Sequence, residues 1–404
     1  MALNATFKAI KPNRLITTGC RRLATGVCDT CVDVQDEMPA VEWNKYHLGP
    51  RTHYGGRYTA TLLPGMGIGP ELMGYVKEIF RHIGAPIDFE EINMDMISHN
   101  SGDLYHAVTS VIRNGIALKS NISPCNSCQV DNYSPTDNHD DALSTTNAKL
   151  RKRLDLFVNT VHCKSFPGLP QRHEHVDVLV VRQNTEGEYA MHEHENVKGV
   201  VESMKVVTRV NAERVIRYAF ESAVLHKRKK VTTVHKANIM KLSDGLFLDI
   251  SREIARDYPS IVHDDMIVDA ACMRLISNPR QFDVILTTNL YGSIVSNILC
   301  AMVGGAGLVS GKNVGEFCTS FEPATRSSGF EIAGLNLANP IAMLNAAADM
   351  LAHLGQESHA QLIQRGIEGC IRDKVWTKDL GGTATSREVV DCILRHIDVA
   401  IAES

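Results

Sequence analysis

Six residues near the middle of the chain, Val176 to Val181, read VDVLVV. A strand with one wet face alternates apolar and polar residues. A strand that is apolar almost throughout is buried on both faces, as in sheets covered by helices on each side. Phe282 to Leu286 is another apolar run and a third ends at Asp269, while further short strands are expected at Tyr58 to Leu63, Phe89 to Asn93, Ile116 to Lys119, Lys229 to Val234 and between Gly199 and Thr208. Between them the apolar spacing turns helical, over Glu71 to Ile83, Ser101 to Asn114, Ala212 to Leu225, Leu246 to Asp257 and Ser293 to Cys300. Three helices, Ile341 to Leu354, His359 to Cys370 and Ser386 to Ile401, close the chain. Strands alternating with helices predict an α/β fold with a largely parallel sheet.

With 404 residues there is room for a large core and two domains. A chain that is 44% hydrophobic and 22% charged has the balance of a globular protein. Its net charge of −4 gives no overall reason to bind nucleic acid. No apolar stretch approaches the roughly 18 residues needed to span a membrane. Before Asp29 there is no acidic residue, while Lys8, Lys11, Arg14, Arg21 and Arg22 are basic. This bias suits a matrix-targeting presequence or a disordered basic tail, so residues 1 to about 50 are set apart from the fold. The eleven cysteines include two Cys-x-x-Cys pairs, Cys28 with Cys31 and Cys125 with Cys128, too far apart for a zinc ribbon. Free thiols in a reducing compartment are expected.

Several strand ends deliver polar side chains where α/β folds bind ligands. Pro64 to Pro70, PGMGIGP, is a glycine turn without the spacing that hugs a pyrophosphate. Arg182 and Gln183 leave the central run and lead into Asn184-Thr-Glu-Gly-Glu-Tyr189, a combination suited to an anion. Arg151, Lys152 and Arg153, at the start of an expected helix, would clamp carboxylates or form a solvated basic face. Lys236 is either an acid–base group or an exposed lysine opening a helix, and Asp269 either a metal ligand or a helix cap. In Phe282 to Asn297, Asn289 and Gly292 read as a turn, after which Ser293 and Asn297 share a helix face. Neither is a carboxylate, so that face alone would hold Mg²⁺ poorly. Gly304 to Gly311 reads as flexible, and Pro124 to Thr146 and Phe321 to Pro340 as polar loops.

Taken in order, LLPGMGIGPEL, RQNTEGEY, VHKANIMKLSDGLF, FDVILTTNLYG and LANP resemble the isocitrate and isopropylmalate dehydrogenase family over about residues 55 to 400. The resemblance implies a two-domain fold distinct from the Rossmann domain. A large domain would comprise 55–157 and 303–404, and a small domain 158–302 would carry a dimerisation clasp. It also implies arginines gripping substrate carboxylates, Mg²⁺ or Mn²⁺ polarising the reacting oxygen, and NAD accepting hydride. Arg151 and Arg182 match two of those arginines, while the third falls at Val161. Tyr189, Lys236 and Asp269 match the tyrosine, the lysine and one metal aspartate. The other two metal aspartates fall at Ser293 and Asn297, Met66 stands for the aspartate of the first glycine turn, and Thr325-Arg-Ser-Ser328 stands for the usual His-Gly-Thr-Ala.

In this family the lysine and one aspartate are lent to the partner's site, and those are the residues retained. The likeness is greatest to regulatory, gamma-type subunits of mitochondrial NAD-dependent isocitrate dehydrogenase, through VHCKS, HKANIMKLSDGLFL and FExATR followed by ANP. It implies a matrix subunit that completes catalytic alpha-type and beta-type partners, in the tricarboxylic acid cycle step from isocitrate to 2-oxoglutarate. Citrate would lie on Asn147, Arg151 and Arg182, and ADP or ATP on Ser327, Ser328 and Asn339. NAD would be held by the catalytic partner. The long Cys125 to Ala142 loop, Pro124, Ser327 and Ser328 depart from that pattern. A self-sufficient decarboxylating dehydrogenase and an inactive interaction protein are the alternatives.

Overall fold

A computed structural model describes residues 53–93, 101–122, 146–325 and 327–403. The basic leader, both Cys-x-x-Cys pairs and the loop from Pro124 to residue 145 lie outside them. The first half of the chain contains β1 (His53–Tyr54), β2 (Arg57–Leu63), α1 (Gly69–His82), β3 (Ile87–Glu91), α2 (Ser101–Asn114), β4 (Ile116–Lys119) and α3 (Thr146–Arg153). The middle contains β5 (Val158–Lys164), β6 (Asp177–Gln183), β7 (Glu193–Val197), β8 (Val200–Ser203), α4 (Arg209–Leu225), β9 (Lys230–His235), α5 (Ser243–Ala255), β10 (Val262–Ile267) and α6 (Val268–Ser277). Then come β11 (Val284–Thr287), α7 (Asn289–Met302), β12 (Ser310–Val314), β13 (Thr319–Pro323), α8 (Ile341–His353), α9 (Glu357–Arg372) and α10 (Ser386–Ala402).

Eleven strands form one sheet in the order β1-β2-β4-β13-β12-β5-β6-β11-β9-β10, with β3 also on β2. As the apolar runs predict, most pairs are parallel, among them β2 with β3 and β4, β4 with β13, and β6, β11, β9 and β10 in succession. The pairings of β13 with β12, β12 with β5 and β5 with β6 are antiparallel. These three reversals make β6, β11, β9 and β10 run opposite to β2, β4 and β13. Strands β7 and β8 form a separate hairpin.

Burial follows the pattern that made the strands legible. Val178 and Val180 of β6 join one large core with residues of α1, α6, α7, α8, α9 and α10. Alternate residues Leu179 and Val181 are buried without joining that core, and α4 packs on β6, β9 and β11. A smaller core of Leu63, Val111, Ala117, Leu150 and Leu156 holds α2 and α3 to β2 and β4. Helix α10 starts at a reciprocal cap, Thr385 accepting from the N–H of Glu388 and the Glu388 carboxylate accepting from that of Thr385. No described helix is long and apolar enough to cross a membrane.

Four local expectations change. Asn289 and Gly292 belong to the first turn of α7 rather than to a turn before it. Arg151 to Arg153 end a helix rather than start one. Between Gly199 and Thr208 only Val200–Ser203 is a strand, and Thr208 caps α4 by accepting from the N–H of Asn211. The stretches read as flexible segment and loop overlap the start of β12 and the end of β13, central strands whose partners are 150 or more residues away or only one hairpin on.

Candidate functional site

The register sets four strand ends side by side. Thr287 of β11 lies opposite both Arg182 of β6 and Val234 of β9, and Val234 opposite Met266 of β10. Arg182, Lys236 just past β9 and Asp269 just past β10 therefore occupy one edge of the sheet.

Arg182 is only 4% exposed. Its Nε and Nη2 donate to Asn289 Oδ1 at 3.0 and 2.7 Å, and its guanidinium carbon stands 4.8 Å from the centre of the Tyr189 ring. Asn289 is held in turn by donating to the Glu186 carbonyl at 2.7 Å. Gly292 is where α7 crosses this side chain, and a Cβ there would lie 2.5 Å from Arg182 Cγ. Its place inside a helix is thus a packing requirement.

A closed circuit of buried polar groups surrounds Arg151. Arg151 Nη1 donates to Asn184 Oδ1 at 3.0 Å, and Asn184 Nδ2 donates to Asn313 Oδ1 at 3.2 Å. Asn313 donates to Glu322 Oε1 at 2.8 Å, and Glu322 is ion-paired with Lys119. Lys119 donates to Asn147 Oδ1 at 3.0 Å, and the Asn147 carbonyl accepts from Arg151 Nε at 3.2 Å. Every member is buried. Asn147 and Arg151, expected on one site, do meet here. Lys119, Asn313 and Glu322 escape a reading of the sequence, although a lysine ending the apolar run Ile116 to Leu118 is the same kind of signal that singled out Arg182.

A cleft of about 460 Å³ opens beside this circuit, lined by its Glu322 and by Asn121, whose Oδ1 accepts from Asn147 Nδ2 at 2.9 Å. Ser327, Asn339, Gly307, Lys378 and Asp379 line it further out. Asn339 donates to Asp379 Oδ2 at 3.0 Å. Ser328 stands at the first glycine turn, where its carbonyl accepts from the Ile68 N–H at 2.9 Å. Gly67 there has φ +62°, and a Cβ on it would lie 1.9 Å from that carbonyl oxygen, so only glycine fits. The volume and the mix of apolar wall and few polar groups suit a small organic ligand of nucleotide size.

Lys236 and Asp269 are ion-paired with each other. The Lys236 N–H donates to Asp244 Oδ2 at 2.8 Å, and Asp244, wholly buried, also accepts from Lys205 Nζ at 2.8 Å. The backbone beneath Lys236 is fixed, while Asp269 has 68% of its side chain in solvent. Exposed apolar residues continue from both, namely Ile239 and Leu242 after the lysine and Met273 and Ile276 at helical spacing after the aspartate. Leu242 is 89% exposed.

Ser293 and Asn297 do lie on one face of α7, but Asn297 spends its amide hydrogens on the Ser293 carbonyl at 2.8 Å. Between them they offer one hydroxyl and one amide oxygen and no carboxylate. That set does not fit a hard divalent cation, which takes anionic oxygens. Val161, at the third arginine's position, is 1% exposed inside the sheet.

Residues 59–393 match the family model described as isocitrate/isopropylmalate dehydrogenase. The chain belongs to that family. The isocitrate/isopropylmalate dehydrogenase fold is also that of its solved neighbours. The crystal structure of isocitrate dehydrogenase from Methylococcus capsulatus superposes with a TM-score of 0.75 at 35% identity, covering 84% of this chain and 99% of that one. Among family members, the mitochondrial NAD isocitrate dehydrogenase subunit gamma of Bos taurus is 46% identical over 364 residues, 90% of each chain. The corresponding gamma subunit of Macaca fascicularis is 47% identical over 353 residues, 87% of this chain and 96% of the relative.

Proposed function

We propose that this chain is a regulatory subunit of a mitochondrial NAD-dependent isocitrate dehydrogenase, without turnover of its own, which lends Lys236 and Asp269 to a catalytic partner. One contrast carries the reading. The pair that would serve a partner is kept on an outward face rimmed by Ile239, Leu242 and Met273, whereas the chain's own pocket has neutral groups at Ser293 and Asn297. The likeness to gamma subunits supports the partner class and the mitochondrial matrix. The β7–β8 hairpin, exposed along both strands, would be the clasp.

Asn147, Arg151 and Arg182 would then hold citrate as an effector instead of substrate, a tricarboxylate being matched by two buried guanidinium groups. ADP would lie in the adjoining cleft against Ser327 and Asn339, with Ser328 beside it at the first glycine turn and Lys378 at hand for its phosphates. Asp269 is the ligand this chain would contribute to a Mg²⁺ or Mn²⁺ ion shared with the partner, and NAD would be bound by that partner.

The test is isocitrate-dependent NAD reduction by this chain, by a catalytic alpha-type subunit and by the two together. Activity is expected in the mixture, raised by citrate and ADP, and lowered at least about a hundredfold by Lys236→Ala in this chain alone. Turnover by the single chain would refute the reading, as would a mixture indifferent to Lys236→Ala.

A further inference from the structure

The last two helices hold another constellation, which shares no residue with the sites above. Asp373 follows α9 as its C-cap, and Cys392 and His396 stand four apart on α10, hence on one face of it. Helices α9 and α10 pack side by side. A carboxylate oxygen, a sulfur and an imidazole nitrogen from these three residues all lie within 4.8 Å of one another. His396 Nε2 is 2.7 Å from Asp373 Oδ2. The imidazole lies in a notch at Gly369, where a Cβ would come within 2.5 Å of the ring. Cys392 is 1% exposed, while Asp373 and His396 open to solvent.

An ion pair between two helices needs only the histidine and the aspartate. The buried thiol adds a third donor, of a softness that a salt bridge does not use. We propose that Asp373, Cys392 and His396 form a binding site for a zinc-class divalent cation that ties α9 to α10. A thiol, an imidazole and a carboxylate are donors zinc takes in tetrahedral sites, and the Cys370 thiol also lies against that of Cys392. Sulfur disfavours Mg²⁺ and Ca²⁺, which separates this site from the ion discussed above. Binding would release the thiol proton.

The test titrates the metal-free full chain with Co²⁺, in a background carrying Cys28→Ser, Cys31→Ser, Cys125→Ser and Cys128→Ser so that neither Cys-x-x-Cys pair competes. One equivalent of Co²⁺ is expected to give a thiolate-to-metal charge-transfer band, displaced by Zn²⁺. Cys392→Ser should abolish the band, and His396→Gln should weaken binding by more than about tenfold. Zn²⁺ should raise the unfolding midpoint of the parent, raise it less in His396→Gln and leave it unchanged in Cys392→Ser. No band in the parent, or a band that survives Cys392→Ser, would overturn the proposal. Should Cys392→Ser fail to fold, His396→Gln, which alters a partly exposed side chain, decides: unchanged affinity would overturn it.

Discussion

At the level of single residues, one missing methyl group positions the Arg182 guanidinium. Gly292 lets α7 pass over Arg182, and any larger side chain would strike its Cβ, Cγ and Cδ. Gly292→Ala is therefore expected to displace the guanidinium from Asn289, at a cost of about 1–3 kcal/mol for the overpacking. Citrate affinity, measured by titration calorimetry, should fall at least about tenfold, since a displaced arginine no longer gives a bidentate pair. Gly292 was legible as a special position in the sequence, but its reason was not. The clash is with a residue 110 positions away, so a glycine read locally becomes a turn when it is a notch in a helix. Arg182, by contrast, stood out because a buried strand led straight to it. Asn313 gave no such sign, because its burial rests on the partners Asn159, Asn184 and Glu322, which no local pattern encodes.

Among the elements, those with strong periodicity were read with bounds close to the structure, α2 and the three closing helices above all. The reading lost β5, β12 and β13, whose sequences VNTVHCK, SGKNV and TSFEP mix polar residues into buried strands. Some of those polar residues pair with one another across the sheet, Asn159 with Asn313 and Asn313 with Glu322, which removes the alternation a sequence pattern relies on. A second polar joint ties α2 to β3. Glu90 is ion-paired with Arg113 and accepts from Ser110 and Asn114, each at 2.7 Å. The Arg113 guanidinium first, and then those two donors, hold the Glu90 carboxyl at about 2 rather than its usual 4.5, against the opposing effect of burial. The unfolded chain thus takes up this proton at a higher pH than the folded one. The stability it contributes is full above 4.5 and is lost as pH falls toward 2. Glu90→Gln should flatten that part of the thermal-midpoint profile relative to the parent. Because a third of the Glu90 side chain faces solvent, the difference should shrink with added salt.

On the scale of the whole molecule, the exposed surfaces are as informative as the core. A two-stranded hairpin is marginal by itself, yet β7–β8 carries Val197, Val200 and Val201 exposed by 64%, 52% and 66%. Val201→Asp is expected to weaken association with a catalytic subunit by at least about tenfold in sedimentation velocity, while the isolated chain keeps its unfolding midpoint. The order of strands has a different consequence, one of timing. Strand β4, three of whose four residues are apolar, is flanked by β2 and by β13, and β13 begins at Thr319. About 200 residues must leave the ribosome between the two, on the order of ten to forty seconds of synthesis. For that interval the nascent chain carries an apolar strand with one edge unmatched, which makes it a natural client of chaperones until its last hundred residues arrive.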